Sequence, residues 1–72
     1  MRLKYDPEAD VLYIVLSEKG AYEGEHLDSG VVVNYDENGD VVSIEILSLS
    51  KRFALKSVLS LSYEAPILTT TA

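Results

Sequence analysis

The sequence of 72 residues predicts an α+β fold, a small antiparallel β-meander of about four strands with one C-terminal helix. Three features point there. Apolar side chains recur at strand spacing through residues 2–47, an Asn-Gly pair separates two of the apolar runs, and helical spacing appears beyond Ser50.

Arg2-Leu3-Lys4-Tyr5 alternates charged and apolar side chains, the period of a half-exposed strand. Asp6-Pro7-Glu8-Ala9-Asp10 ends it, because proline presets φ for a turn and has no N–H for a ladder, while Asp favours turn starts. Val11 to Leu16 follows, rich in β-branched and aromatic residues. Val11, Tyr13 and Val15 point to one side of it, and Leu12, Ile14 and Leu16 to the other. A strand apolar on both sides belongs in the middle of a sheet covered on both faces. Ser17 to Ser29 is polar and contains Gly20 and Gly24, so it reads as a long connection with room for a short edge strand around Ala21–Glu23.

Gly30 to Tyr35 is the next strand, Asp36-Glu37-Asn38-Gly39-Asp40 a turn, and Val41 to Leu47 the returning strand. With Asn38-Gly39 as a two-residue loop, Tyr35 faces Val42, Val33 faces Ile44 and Val31 faces Ile46. All six apolar side chains then share one face, which a one-residue slip would scatter. The other face of the last strand (Val41, Ser43, Glu45, Leu47) is mixed. Ser50 is placed to cap a helix beginning at Lys51, with Leu49 as the apolar residue before the cap. Leu55, Val58 and Leu59 have helical spacing with Phe53 beside them, and Pro66 bars continuation, so residues 51–60 are expected to be helical. Val58 to Tyr63 also alternates as a strand, and that alternative stays open. The chain reads as a single domain over 1–66, followed by a disordered tail over 67–72.

Twelve carboxylates stand against six Lys and Arg, a net charge of −6. Residues 1–45 hold eleven acids and three bases, and residues 46–72 one acid and three bases (Lys51, Arg52 and Lys56). An acidic body repels a phosphate backbone, so nucleic acid is not an expected ligand. A small basic corner on that body suits a basic protein partner or a second copy of the chain. No cysteine is present, which fits a reducing compartment. The start shows no secretory apolar region, and no apolar run is long enough for a bilayer, so the expectation is a cytoplasmic protein without membrane contact. Burial at this size contributes roughly 105 kcal/mol, and ordering the chain costs about 108 kcal/mol. Oligomerisation is a common remedy for so small a margin, and here a homodimer would supply the second cover that the two-faced strand requires.

Asp36, Asn38 and Asp40 open like a calcium-binding loop, but Val41 stands where the sharp-turn glycine belongs and Leu47 where the bidentate glutamate belongs. The segment is a hairpin turn. Asp6, Glu8 and Asp10, joined in space by Asp36 or Glu45, could share acid–base work or hold a divalent ion. Acids in a proline-containing turn are more simply turn formers. His26, the single histidine, has no Ser, Cys or second His at a meaningful spacing and reads as an exposed loop residue. Glu45 interrupts an apolar strand, where it either faces solvent or pairs with Lys51 or Arg52, or serves recognition across an interface. No phosphate loop, zinc ligand set or basic–aromatic strip occurs. No catalytic, cofactor-binding or metal-binding residue is therefore assigned, no cofactor is expected, and the chain reads as a non-enzyme.

Tyr5-Asp6, Asp10-Val11-Leu12-Tyr13-Ile14, Tyr35-Asp36-Glu37-Asn38-Gly39 and Ile44-Glu45-Ile46-Leu47, in this order and spacing, resemble domain-of-unknown-function family 2283 of small prokaryotic proteins. The resemblance covers about residues 1–50. Asn34 stands where the family commonly has Asp, and Ser43 where it commonly has Gly. The resemblance implies a short β-meander with a C-terminal helix and no activity, and it suggests an antitoxin-type role. The function expected from the whole is a self-associating protein-interaction module. One alternative is an antitoxin-like neutraliser of a basic partner. Another is a divalent-metal protein or hydrolase using Asp6, Asp10, Asp36 or Glu45.

Overall fold

The computed structural model describes residues 1–27, 29–54, 56–57 and 60. Five strands and a short helix follow one another: β1 (Arg2–Asp6), β2 (Val11–Val15), β3 (Glu23–Leu27), β4 (Val31–Tyr35), β5 (Val41–Ile46) and α1 (Leu49–Arg52). All strand pairs are antiparallel, and the spatial order is β1-β2-β5-β4-β3. Strands β3 to β5 form a meander, and the β2–β3 connection carries the chain to the far edge so that β5 returns beside β2. Strands β2 to β5 thus have Greek-key connectivity. The meander-like sheet with one short helix agrees with the α+β expectation.

Local chemistry explains the element boundaries. Asp6 Oδ1 accepts the N–H groups of Glu8 and Ala9, which closes the turn around Pro7. Asp36 Oδ1 accepts those of Asn38 and Asp40, and the Asp36 carbonyl accepts the Gly39 N–H at 3.0 Å. Gly39, at φ 84°, supplies the left-handed step that this turn needs.

Register gives the two faces different compositions, one almost wholly apolar and one mixed. One face carries the rows Leu3–Ile14–Ile44–Val33–Glu25 and Tyr5–Leu12–Ile46–Val31–Leu27 across all five strands. The other carries Lys4–Tyr13–Glu45–Val32–His26 and Arg2–Val15–Ser43–Asn34–Gly24. None of the apolar residues in the first two rows is fully buried, and Leu3 and Leu27 are exposed. Burial concentrates instead at Val11, Val32, Val42 and Leu49.

Several expectations are corrected. The polar connection contains a full strand, β3, whose EGEHL sequence is exposed throughout and so shows no alternation. Strand β2 is second from an edge, and β5 takes the centre. Val33 faces Ile44 and Val31 faces Ile46 as expected, but a bulge places Tyr35 opposite Val41 rather than Val42, because the connection is Asp36 to Asp40 and not a two-residue loop. Helix α1 begins at Leu49 rather than Lys51, and Phe53 is already extended. Ser48, in the left-handed region at φ 52°, occupies the cap position with no side-chain cap bond, while Ser50 lies in the first turn. The choice between helix and strand over 58–63, the tail over 67–72 and the end of the domain at 66 fall on residues that, Ser60 apart, lie outside those described. Among the described residues no helix is long and apolar enough to cross a membrane.

Candidate functional site

At one end of the sheet, Asp10 ties the first hairpin to α1. Its backbone takes φ 57°, a conformation that Asp tolerates better than most residues. The Tyr5 hydroxyl donates to Asp10 Oδ1 at 2.7 Å, and Ser50 Oγ donates to Oδ2 at 2.7 Å. The Ser50 N–H reaches both carboxylate oxygens, at 3.1 and 3.2 Å, and the Leu49 N–H donates to the Asp10 carbonyl at 3.0 Å. A residue 40 positions upstream therefore satisfies helix N–H groups that Ser48 leaves open. The Tyr5 hydroxyl first, and then Ser50 Oγ, hold the Asp10 carboxyl below its ordinary range. The same bond to Asp10 raises Tyr5. Beside this clasp the Arg52 Nε donates to the Leu47 carbonyl at 3.1 Å, and its guanidinium lies against Gly30.

The polar face holds a second cluster. Asn34 Nδ2 donates to Ser43 Oγ at 3.0 Å and to Glu45 Oε2 at 2.8 Å. Glu45 is therefore partnered across strands, and neither Lys51 nor Arg52 pairs with it. Among the described residues the ion pairs are Arg2–Glu18 and Lys19–Asp36.

The opposite end of the sheet carries two clefts around the 36–40 turn. One, of about 500 Å³, is lined by Glu23, Gly24, Glu25, Tyr35 and Gly39. In it the Tyr35 hydroxyl donates to Glu25 Oε1 at 3.1 Å, and that bond raises the tyrosine. The other, of about 250 Å³, is lined by Lys19, Gly20, Asp36, Glu37 and Asn38.

The four carboxylates of the metal reading do not converge. Asp6 closes the first turn, Asp10 holds α1, Asp36 closes the β4–β5 turn and Glu45 lies within β5. Among the described residues no three His, Cys, Asp or Glu side chains gather at metal-binding distance. His26 is exposed, as expected, but on β3 rather than in a loop. Sequence reasoning missed the partners Tyr5, Ser50, Asn34, Ser43 and Lys19, since each is joined through cross-strand register or a long connection that no local pattern encodes.

These features define a small antiparallel-sheet domain whose helix is clasped to its first hairpin, with one apolar face and an acidic turn. The chain belongs to the family described as Protein of unknown function (DUF2283), which matches residues 2–50. It is also similar to Uncharacterized protein MJ0789 of Methanocaldococcus jannaschii, with 43% identity over 54 residues. That alignment covers 74% of this chain, which spans 45% of the relative's length. No solved structure gives a significant match.

Proposed function

We propose that the protein is a cytoplasmic, non-enzymatic interaction module that self-associates as a homodimer through its apolar sheet face. The observation that carries this reading is the pair of cross-strand rows in which nine of ten positions (Leu3, Ile14, Ile44, Val33, Tyr5, Leu12, Ile46, Val31 and Leu27) are apolar or aromatic and none is fully buried. Five strands about 4.8 Å apart and five residues about 3.3 Å each make a face of roughly 24 by 17 Å. That is about 400 Å², in the range where an apolar patch on a monomer marks a contact surface. The sheet edges argue against edge-to-edge pairing instead. Strand β1 carries Arg2, Lys4 and Asp6, and β3 carries Glu23 and Glu25, the charges that blunt strand addition. Face-to-face packing of two such sheets buries both copies of the rows by one operation.

Sedimentation or light scattering at tens of micromolar tests the reading. The expected mass is about twice 7.9 kDa. A monomer across that range overturns it.

A basic protein partner is a second reading, favoured by the net charge of −6 and by the two clefts flanking the acidic turn. Such a partner would occupy the end of the sheet and leave the apolar rows free for self-association.

A further inference from the structure

We propose that the cleft beside the β4–β5 turn is an acceptor for a single cationic side chain, the ammonium of a lysine or one arm of an arginine, presented by a basic polypeptide. The two oxygens of Asp36 have different duties. Oδ1 is committed to the turn through the N–H groups of Asn38, at 2.8 Å, and Asp40, at 3.0 Å. Oδ2 is buried and accepts no hydrogen bond among the described residues. The Asp36 side chain is only 7% exposed, and an anionic oxygen without a hydrogen bond at that depth is costly. Lys19 Nζ stands 3.9 Å away, too far for a hydrogen bond, and its side chain is 66% exposed. Lys19 thus balances the charge without filling the cleft, where Gly20, Glu37 and Asn38 complete the wall.

The geometry selects the ligand class. With Oδ1 occupied, one N–H···O⁻ bond from the incoming group to Oδ2 is the contact the cleft offers, with Glu37 and Asn38 among its lining residues. A divalent ion would meet the Lys19 ammonium and find one committed carboxylate rather than an oxygen cage. An incoming cation instead displaces Lys19, a long flexible side chain that loses little by swinging into solvent. The proposal does not depend on self-association, because the cleft lies at the end of the sheet and the apolar rows across its middle.

The test is titration of the full chain with a tri-arginine peptide, followed through backbone amide chemical shifts, with magnesium chloride titrated in parallel. Shifts are expected to concentrate at Gly20, Asp36, Asn38 and Asp40. Asp36→Asn keeps an Oδ1 acceptor for the turn and removes the buried charge, and it should weaken peptide binding at least tenfold. Glu37→Gln removes an equal charge at the surface and should weaken it less than threefold. Lys19→Gln removes the competing ammonium and should tighten binding severalfold, with a thermal melt confirming that the variant is folded. Equal losses in Asp36→Asn and Glu37→Gln would show general attraction to an acidic surface and overturn the proposal. So would unchanged or weaker binding in Lys19→Gln, or magnesium producing the same shifts as the peptide.

Discussion

Asp10 concentrates more of the tertiary structure than any other polar side chain described. Three groups from two segments, one in the same hairpin and one 40 positions away, converge on its carboxylate, and that convergence sets how stability should respond to pH. Its carboxyl is held low in the fold, first by Tyr5, so its contribution is full above the ordinary carboxylate value near pH 4 and is lost as pH falls through the lowered folded value. Tyr5 and Tyr35 are raised, so their contributions are full below about pH 10 and are lost as pH rises through the raised folded values. Asp10→Asn should lower the melting temperature at pH 7, and its difference from the parent should vanish toward pH 2. Tyr5→Phe should blunt both the acid and the alkaline loss. Thermal melts across pH check both, and a difference for Asp10→Asn that persists at pH 2 would remove the charge from the explanation. Little of this was legible in the sequence. Asp10 is recognisable as a turn acid after Pro7, but Ser50 reads as the cap of its own helix because capping rules see only neighbours within about four residues. The partner that fills that role is 40 positions away.

At the scale of elements, the strands with a two-sided environment announced themselves and the others did not. Strands β1, β2, β4 and β5 stand close to where alternation and β-branched runs put them. Strand β3 reads in the sequence as no more than a short edge strand because both its faces meet solvent, so nothing selects an apolar period. The register of β4 against β5 held over Val31 and Val33, where apolar pairing fixes it, and slipped at Tyr35, where turn geometry does. Helix α1 is short because its close packing is at its start. Leu49 is 1% exposed, whereas Phe53 turns outward into extended backbone. Where α1 meets the sheet, Gly30 takes φ 81°, and an added Cβ would collide with the Arg52 guanidinium. Gly30→Ala should therefore cost roughly 1–3 kcal/mol in urea unfolding, from backbone strain and the displaced arginine together. A cost below about 0.5 kcal/mol would show that the loop relaxes freely.

At the scale of the whole fold, the described residues form one sheet with unequal faces beside a short helix, and that inequality is the basis for the proposed self-association. The sequence disclosed that the Val31, Val33, Ile44 and Ile46 side chains share a face, and that Leu12 and Ile14 need cover. It did not disclose that register would extend the same face over Leu3, Tyr5 and Leu27, because those residues sit among charges in their own strands. The candidate clefts were less legible still, since Lys19 reaches Asp36 through a connection without periodicity. Leu3 and Leu27 are exposed in a single chain, so Leu3→Glu and Leu27→Glu should leave the melting temperature of the monomer nearly unchanged while weakening the dimer at least tenfold each, a loss of about 1.4 kcal/mol or more. Dilution series in the analytical ultracentrifuge measure this. Unaltered dimerisation in both variants would move the interface off that face.

The return of β5 between β2 and β4 also imposes a timetable on synthesis. As the chain leaves the ribosome, the β1–β2 and β3–β4 hairpins are available early, yet each offers an open ladder edge, lined by Leu12, Ile14, Val31 and Val33, until residue 46 has emerged. Two half-sheets wait for a central strand that arrives last. Unpaired ladder edges favour aggregation during folding, and the charges on Lys4, Asp6, Glu23 and Glu25 lie only on the two outer strands.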